Sequence, residues 1–319
     1  MKYTILGNSD LEVSELCLGC MSFGEADRGQ YGWTLDQEAS TEIIRRAYEC
    51  GINFFDTSNN YSGGTSEIFL GKAIKEFDRR DLVIATKYYF NEGRLSPEAI
   101  HREVIGSLKR LDTPYIDLLI LHRYDYDTPV EDTLKALDEE VKSGRIRYYG
   151  ASAMYGHQFA EYCYKARELG YRPFVTLQNH YSPIYREDER DLIPVAERFG
   201  VSRTSFAPLA GGRLARKEWN GGSSRSILDK AEGSRYDQME EYDRAIAERI
   251  YELSVKHDVS MSAVALNWQF RKGVASPIIG ITKMKYLDDA LKVFDFELSD
   301  EETAFIDELY VPHPITCNR

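Results

Sequence analysis

Four polar side chains of the sequence are suited to acid–base chemistry on an oxygen atom. Asp56, Lys87 and His122 each end or follow a short apolar run, and Tyr61 comes shortly after Asp56. A tyrosine hydroxyl with a pKa of about 10 is a weak acid at neutral pH, so it needs a neighbour that stabilises the phenolate. A lysine ammonium does this, a carboxylate holds the lysine in place, and a histidine can orient the reacting oxygen.

Each of the four residues also has an ordinary structural explanation. An Asp after a strand is often a turn former or helix cap, and a Lys or His at a strand end can simply reach solvent. The four become informative together, because they occur in order at the ends of three successive predicted strands. In a parallel sheet those ends lie at one edge, so the side chains are expected to converge.

Short apolar runs alternate with longer amphipathic segments along the whole chain. Short, nearly continuous apolar runs are typical of parallel strands covered by helices on both faces. Eight such strands are predicted at 16–21, 52–56, 82–86, 116–121, 147–151, 174–178, 201–206 and 276–280. Helices are predicted near 36–50, 65–77, 96–111, 129–143, 155–169, 188–199, 243–258, 260–272, 283–293 and 298–310.

This alternation predicts an α/β fold, a (β/α)8 TIM barrel formed as one domain by residues 1–319. The alternative is a doubly wound open sheet, but a dinucleotide-binding sheet would carry G-x-G-x-x-G after its first strand, and 19–24 lacks that spacing. Residues 2–15 are expected to add a β-hairpin before the first strand. The irregular segment from 210 to about 242 is expected to be a long functional loop after strand seven.

Composition excludes several other classes of protein. A net charge of −12 disfavours nucleic-acid binding, although a few local cations could still hold a small anionic cofactor. No apolar run is long enough to span a membrane, and the first residues are too polar for a secretory signal. Five irregularly spaced cysteines favour the reducing cytoplasm. Cys17 and Cys20 would face opposite sides of a strand, so no metal site is predicted.

Several segments resemble the signature of the aldo-keto reductase superfamily. The matching runs are GINFFDTSNNYSGG at 51–64, SE at 66–67, LGKA at 70–73, YIDLLILH at 115–122, KSGRIR at 142–147 and APLAGGRL at 207–214. Three more resemble a bacterial and fungal branch of general aldehyde or ketone reductases, RYD at 123–125, YREDER at 185–190 and PHP at 312–314. The resemblance implies NAD(P)H-dependent carbonyl reduction in a (β/α)8 barrel, with Tyr61 as proton donor, Lys87 lowering its pKa, Asp56 supporting Lys87, and His122 orienting the substrate.

The resemblance also implies a set of cofactor contacts. These are Met21, Asp56, Ser152, Gln178, Phe206, Pro208, Leu209, Gly211, Arg213, Gly280, Thr282 and Lys283. Ser152 and Gln178 would hold the nicotinamide carboxamide. Many relatives have Asn where this chain has Ala153, so Asn179 could share that role. Phe206 would stack on the nicotinamide ring, although it could also be an ordinary barrel-core residue.

The phosphates of the cofactor would meet two loops. The loop after strand seven would pass over the pyrophosphate, with Gly211 allowing close approach and Arg213 pairing with phosphate. The start of the helix after strand eight would favour phosphate, and Lys283, with Lys285, would favour a 2′-phosphate. NADPH is therefore expected over NADH. The segment from Gly211 to about Tyr242 is expected to be a lid ordered by the cofactor.

The substrate is expected to be a small carbonyl compound. Trp33, Tyr88, Arg123 and Tyr124, together with Met21, would line its pocket. Arg123 could bind an anionic group of the substrate or pair with Asp125, and the sequence does not separate these. The leading hypothesis is a cytoplasmic NADPH-dependent reductase without nucleic-acid or membrane partners. The alternative is a regulatory subunit that senses the nicotinamide cofactor with little turnover, which the complete set of four polar residues disfavours.

Overall fold

Ten short strands are present in the computed structural model, which describes residues 1–29, 31–219 and 236–316. They are β1 (Tyr3–Ile5), β2 (Glu12–Ser14), β3 (Cys17–Gly19), β4 (Phe54–Asp56), β5 (Val83–Tyr88), β6 (Ile116–Leu121), β7 (Ile146–Ser152), β8 (Thr176–His180), β9 (Ser202–Phe206) and β10 (Ile278–Gly280). Strands β3 to β10 correspond to the eight predicted strands. Several are shorter than predicted, because the chain leaves the sheet early; after β3 it turns into the 3-10 helix Cys20–Ser22.

Strands β3 to β10 form one parallel sheet that is nearly closed into a ring. The hydrogen-bonded order is β10-β3-β4-β5-β6-β7-β8-β9, so each strand from β3 to β9 pairs with its neighbour in the chain. At the remaining seam, the backbone amide of Ala275, just before β10, donates to the carbonyl of Arg203 in β9 over 2.8 Å. The predicted barrel is confirmed.

Helices surround this ring. They are α1 (Gln37–Glu49), α2 (Thr65–Ala73), α3 (Pro97–Leu111), α4 (Val130–Lys142), α5 (Gly156–Glu168), α6 (Leu192–Phe199), α7 (Glu240–His257), α8 (Met261–Arg271), α9 (Met284–Leu291) and α10 (Asp300–Asp307). The Ser96 side chain caps α3 by accepting from the amide of Ala99, as the Ser-Pro sequence predicts. The Thr128-Pro129 pair before α4 differs, because Pro129 itself is the N-cap residue and no side chain caps the helix.

The predicted hairpin is formed by β1 and β2, which pair antiparallel and close the N-terminal end of the barrel. Leu6, Leu11 and Val13 are buried in the same apolar cluster as Phe54 and other residues of the barrel interior. The turn approaches the barrel closely at Gly7, where a Cβ would lie 2.5 Å from the carbonyl oxygen of Val175. The opposite end of the barrel therefore remains as the mouth.

The segment after β9 is irregular, as predicted. A 3-10 helix spans Ala210–Ala215, another spans Asp237–Met239, and α7 begins at Glu240, three residues earlier than predicted. About half of the expected lid, residues 220–235, lies outside the described residues. Within the described parts of the chain, no helix combines the length and apolar character needed to cross a membrane.

Candidate active site

The four polar residues meet at the mouth of the barrel. Lys87, in β5, donates a hydrogen bond from Nζ to Oδ1 of Asp56 over 2.5 Å and another to the carbonyl of Thr57 over 2.7 Å. The same Nζ lies 4.9 Å from the centroid of the Tyr61 ring. His122, directly after β6, presents its ring edge-on to Tyr61 with the centroids 6.2 Å apart.

Local backbone geometry explains this convergence. Asp56 ends β4 and pairs in register with Ala85, so Lys87 lies two residues further along the neighbouring strand and on the same face. After Tyr61 the chain turns sharply, with positive φ at Ser62 (47°), Gly63 and Gly64. A positive φ at a residue other than glycine is unfavourable and is typical of functional sites.

Burial and charge set the protonation of these groups. Burial acts to lower the pKa of Lys87, but the negative charge of Asp56 and the interactions with Tyr61 together outweigh it, so the net shift is upward and Lys87 stays an ammonium. The pKa of His122 falls well below its usual value, through burial and the charges of Lys87 and Arg123. His122 is therefore neutral near pH 7.

The pKa of Tyr61 differs from the sequence-based expectation. Burial raises it to about 12, and the negative charge of Asp56 adds to the increase. The charge of Lys87 does act to lower it, in the expected direction, but the burial contribution is larger. The Tyr61 hydroxyl therefore keeps its proton throughout the neutral range.

The ends of β7 and β8 add two side chains near the acid–base group. The amide nitrogen of Gln178 donates to Oδ2 of Asp56 over 2.8 Å. Ser152, the last residue of β7, pairs in register with Gln178, and both are buried. Asn179 faces away from this group, because its side chain donates to Asp188 over 3.0 Å. The structure therefore brings Ser152 and Gln178 together beside Asp56 and directs the side chain of Asn179 elsewhere.

The loop after β9 contains a candidate phosphate contact. Beyond Pro208 and Leu209, Gly211 adopts a φ of 64°. The guanidinium of Arg213 binds Oδ1 of Asp237 over 2.5 Å, yet its Nη1 is buried without a hydrogen-bond partner among the residues described. A buried donor in this state is costly unless something accepts from it. A phosphate oxygen would satisfy it.

A second candidate phosphate contact follows β10. Gly280 is exposed, Thr282 is partly exposed, and Lys283 is the N-cap residue of α9. No side chain caps this helix, so its first amides can bind an anion. The Nζ of Lys283 is exposed and lies 5.9 Å from the Tyr286 ring centroid. The residues at both loops thus fit the phosphates of a nicotinamide cofactor.

Comparison with known proteins agrees with this geometry. Residues 15–311 match the model of the Aldo/keto reductase family. The chain belongs to the aldo-keto reductase family. It is 38% identical to a Schizosaccharomyces pombe protein provisionally named an aryl-alcohol dehydrogenase, over 98% of this chain and 97% of the other. It is 37% identical to versiconal hemiacetal acetate reductase of Aspergillus parasiticus, over 99% and 98% respectively.

A solved structure supports the same assignment. A thermostable aldo-keto reductase crystallised with the inhibitor epalrestat aligns with a TM-score of 0.78 and 28% identity, covering 97% of this chain and all of the other. This protein is therefore an oxidoreductase enzyme. Aldo-keto reductases act on small-molecule carbonyl substrates and use nicotinamide cofactors.

In this aldo-keto reductase, aromatic and cationic side chains occur in the segments that follow the strand ends. Trp33 is largely buried and packs at 5.5 Å from Tyr31. The guanidinium of Arg123 lies 5.4 Å from the ring centroid of Phe90. Tyr124 donates from its hydroxyl to Glu161 over 3.2 Å, toward α5. Met21 follows β3 in a 3-10 turn and is partly exposed.

Tyr88 does not line the mouth, contrary to the sequence-based prediction. It is 1% exposed and belongs to the apolar cluster between the barrel and the helices. Successive strand residues alternate between the two faces of a sheet, so Tyr88 points outward when Lys87 points inward. The alternation could have shown this from the sequence.

Two residues at the mouth were not predicted. Phe90 is 49% exposed and presents its ring to His122 with the centroids 5.0 Å apart. Phe90 could have been predicted from the sequence, because it lies three residues after Lys87 in the loop that follows a strand end. His180 lies parallel to Phe206 at 5.2 Å. It shares a strand face with Gln178, and this spacing was the corresponding signal.

Proposed function

We propose that the enzyme reduces aldehydes or ketones to alcohols with NADPH, and that Tyr61 is the proton donor. The observation that carries this proposal is the ion pair of Lys87 with Asp56, with the lysine Nζ 4.9 Å from the Tyr61 ring. The bound nicotinamide supplies the hydride that adds to the carbonyl carbon. The protein supplies the proton and the geometry.

The proposed roles follow from the charges of the site. Tyr61 is protonated and donates its proton to the carbonyl oxygen, leaving a phenolate. Lys87, held as an ammonium by Asp56, stabilises that phenolate by charge, and solvent later returns the proton. His122 is neutral and retains one ring N–H, with which it can orient the carbonyl oxygen.

The cofactor and substrate preferences are part of the proposal. An exposed lysine at an uncapped helix start favours the extra phosphate of NADPH. The aromatic residues Trp33, Phe90 and Tyr124 favour a substrate with an apolar or aromatic body, in keeping with the relative named for aryl alcohols. Four free cysteines among the described residues favour the reducing cytoplasm as the place of action.

Turnover of a carbonyl panel tests the proposal. The loss of reduced-cofactor absorbance would be followed with NADPH and with NADH, using aliphatic and aromatic aldehydes and ketones. Reduction of at least some members by the wild type, and its loss in Tyr61→Phe, is the expected result. Tight cofactor binding without turnover of any member would contradict the proposal and favour the cofactor-sensing alternative.

A further inference from the structure

Three nearly parallel aromatic rings lie at the C-terminal ends of β8 and β9. His180 pairs in register with Phe206, and their ring centroids are 5.2 Å apart with the planes inclined by 10°. The ring of Tyr185 is also parallel to that of His180, at 3.9 Å and 17°. His180 and Tyr185 are each 2% exposed, whereas Phe206 is partly exposed. Phe206 is thus the accessible member of the three.

The His180 ring is held at both of its nitrogens. Nε2 lies 2.9 Å from the hydroxyl of Tyr236, and Nδ1 lies 3.2 Å from the hydroxyl of Thr316. A neutral imidazole has one donor and one acceptor nitrogen, and a hydroxyl can take either role, so both bonds form in either tautomer. The Tyr185 hydroxyl accepts from the amide of Thr316 over 3.0 Å. Rotation of the imidazole would break at least one of these bonds.

We propose that His180 is a positioning residue that fixes the plane of the Phe206 ring against which the nicotinamide ring binds. This inference rests on the proposed function, in which Phe206 stacks on the nicotinamide. Parallel aromatic rings attract when offset, so the fixed imidazole of His180 holds the phenyl ring of Phe206 nearly parallel to itself. His180 does not touch the reacting atoms and acts only through Phe206.

The hydrogen bonds of His180 also connect distant parts of the chain to this position. Tyr236 precedes α7 and Thr316 belongs to the C-terminal segment, 56 and 136 residues away from His180. An apolar ring at position 180 could fill the same space, but the hydroxyls of Tyr236 and Thr316 would then lose their hydrogen bonds to this residue. Small errors in the position of a reacting group cost about a hundredfold in rate for each ångström, so a fixed ring plane matters to hydride transfer.

Two substitutions at the same position test the inference. His180→Asn retains polarity and removes the ring, whereas His180→Phe retains a ring that can stack and removes both hydrogen bonds. The dissociation constant for NADPH would be measured without substrate, by quenching of protein fluorescence. His180→Asn is expected to raise this constant about five- to tenfold, and His180→Phe, which keeps a stacked ring but loses both bonds that fix its plane, is expected to raise it about two- to threefold. At saturating cofactor, His180→Asn should also lower kcat.

Tyr181→Phe is the matched control. It removes the hydroxyl bond to Glu189 in the same loop, but the Tyr181 ring packs against Trp268 and not against the rings of His180 or Phe206. It should leave the NADPH dissociation constant unchanged. An unchanged constant in His180→Asn, with only a lower unfolding temperature, would overturn the inference in favour of a purely structural role. If His180→Asn does not fold, Tyr236→Phe replaces it, with an expected rise of about twofold.

A substitution of Phe206 itself distinguishes the proposed stacking of the nicotinamide on Phe206 from the proposed role of His180. Phe206→Leu should weaken NADPH binding if the nicotinamide stacks there. No effect of Phe206→Leu would contradict the stacking part of the proposed function, and the role of His180 with it. Weaker binding in Phe206→Leu, combined with wild-type binding in His180→Asn, would contradict the role of His180 alone.

Discussion

Two opposing influences act on the hydroxyl of Tyr61. Burial and the charge of Asp56 hold its proton in place, while the ammonium of Lys87 favours the phenolate. The balance lies on the protonated side, with a pKa of about 12. The Tyr61 hydroxyl therefore carries a proton that it can donate at neutral pH. The adjacent ammonium of Lys87 lowers the free energy needed to release that proton when an acceptor oxygen is in place.

Removal of the Tyr61 hydroxyl should therefore nearly abolish carbonyl reduction. Tyr61→Phe keeps the ring but has no proton to donate, so kcat should fall by about 10²–10⁴-fold. The NADPH dissociation constant, measured by fluorescence titration, should remain close to the wild-type value. A variant that retains more than about a tenth of the wild-type kcat would show that another group is the acid.

The pH dependence of reduction should be nearly flat around neutrality. A general acid works while protonated, and a pKa raised to about 12 keeps Tyr61 protonated far above neutral pH. Because the pKa of His122 is lowered, its ring stays neutral at pH values down to and below the ordinary pKa of histidine. We expect kcat/KM for the carbonyl substrate to vary by less than about twofold between pH 7 and 9. A decline centred near pH 8, with the protein still folded, would contradict these protonation states.

At the scale of elements, strand ends place most of the site and helix α9 adds a candidate cation. The overall charge of −12 repels a phosphate at long range, so any preference for NADPH must come from charges within about 8–10 Å. Lys283 begins α9, where uncapped amides and the helix dipole already attract an anion. A lysine at the other end of the same helix lacks that advantage.

Lys283→Ala should weaken NADPH binding by about tenfold and leave NADH binding nearly unchanged. The lower end of the usual range for a charge-assisted bond applies, because Lys283 is exposed. Fluorescence titration of both cofactors measures the effect. Lys292→Ala, which removes another exposed charge just after α9, is the control and should change neither constant. Equal losses of NADPH and NADH affinity in Lys283→Ala would exclude recognition of the 2′-phosphate there.

The sequence predicts elements better than the details inside them. The apolar runs identify the eight barrel strands because each strand is buried on both faces, and Asp56, Lys87 and His122 are recognisable because they end or follow such runs. The pKa of Tyr61 depends on burial that only the fold provides. The bond of Arg213 to Asp237 and the contacts of His180 join residues that no local pattern connects. Ser152 and Lys283 remain predictions as cofactor contacts.

At the scale of the whole molecule, the apolar residues of the hairpin and the polar residues of the candidate active site lie at opposite ends of the barrel. The β1–β2 hairpin closes the N-terminal end with Leu6, Leu11 and Val13, whereas the polar site lies at the C-terminal ends of the strands. The single-domain prediction for residues 1–319 is consistent with this arrangement and stays a prediction.

Leu6→Ala should destabilise the fold without impairing catalysis. Leu6 is fully buried, so its truncation should lower the free energy of unfolding by about 2–5 kcal/mol. Urea unfolding measures this loss, and kcat at a temperature where the variant is folded should equal that of the wild type. Ile5→Ala is the control, because Ile5 is 46% exposed and its truncation should cost less than about 1 kcal/mol. A parallel fall in kcat would show that the two ends are coupled.

The seam between β9 and β10 would link barrel closure thermodynamically to cofactor occupancy if the cofactor binds at the two candidate phosphate loops. The ring is held there by the bond from Ala275 to Arg203, and the two candidate phosphate loops emerge from the strands on either side of it. A ligand that contacts both loops bridges the two end strands of the hydrogen-bonded order and adds its binding energy to closure, by about 2.7 kcal/mol at a hundred times its dissociation constant. In a cell with abundant cofactor, the resistance of this enzyme to unfolding and proteolysis would then follow the cofactor supply.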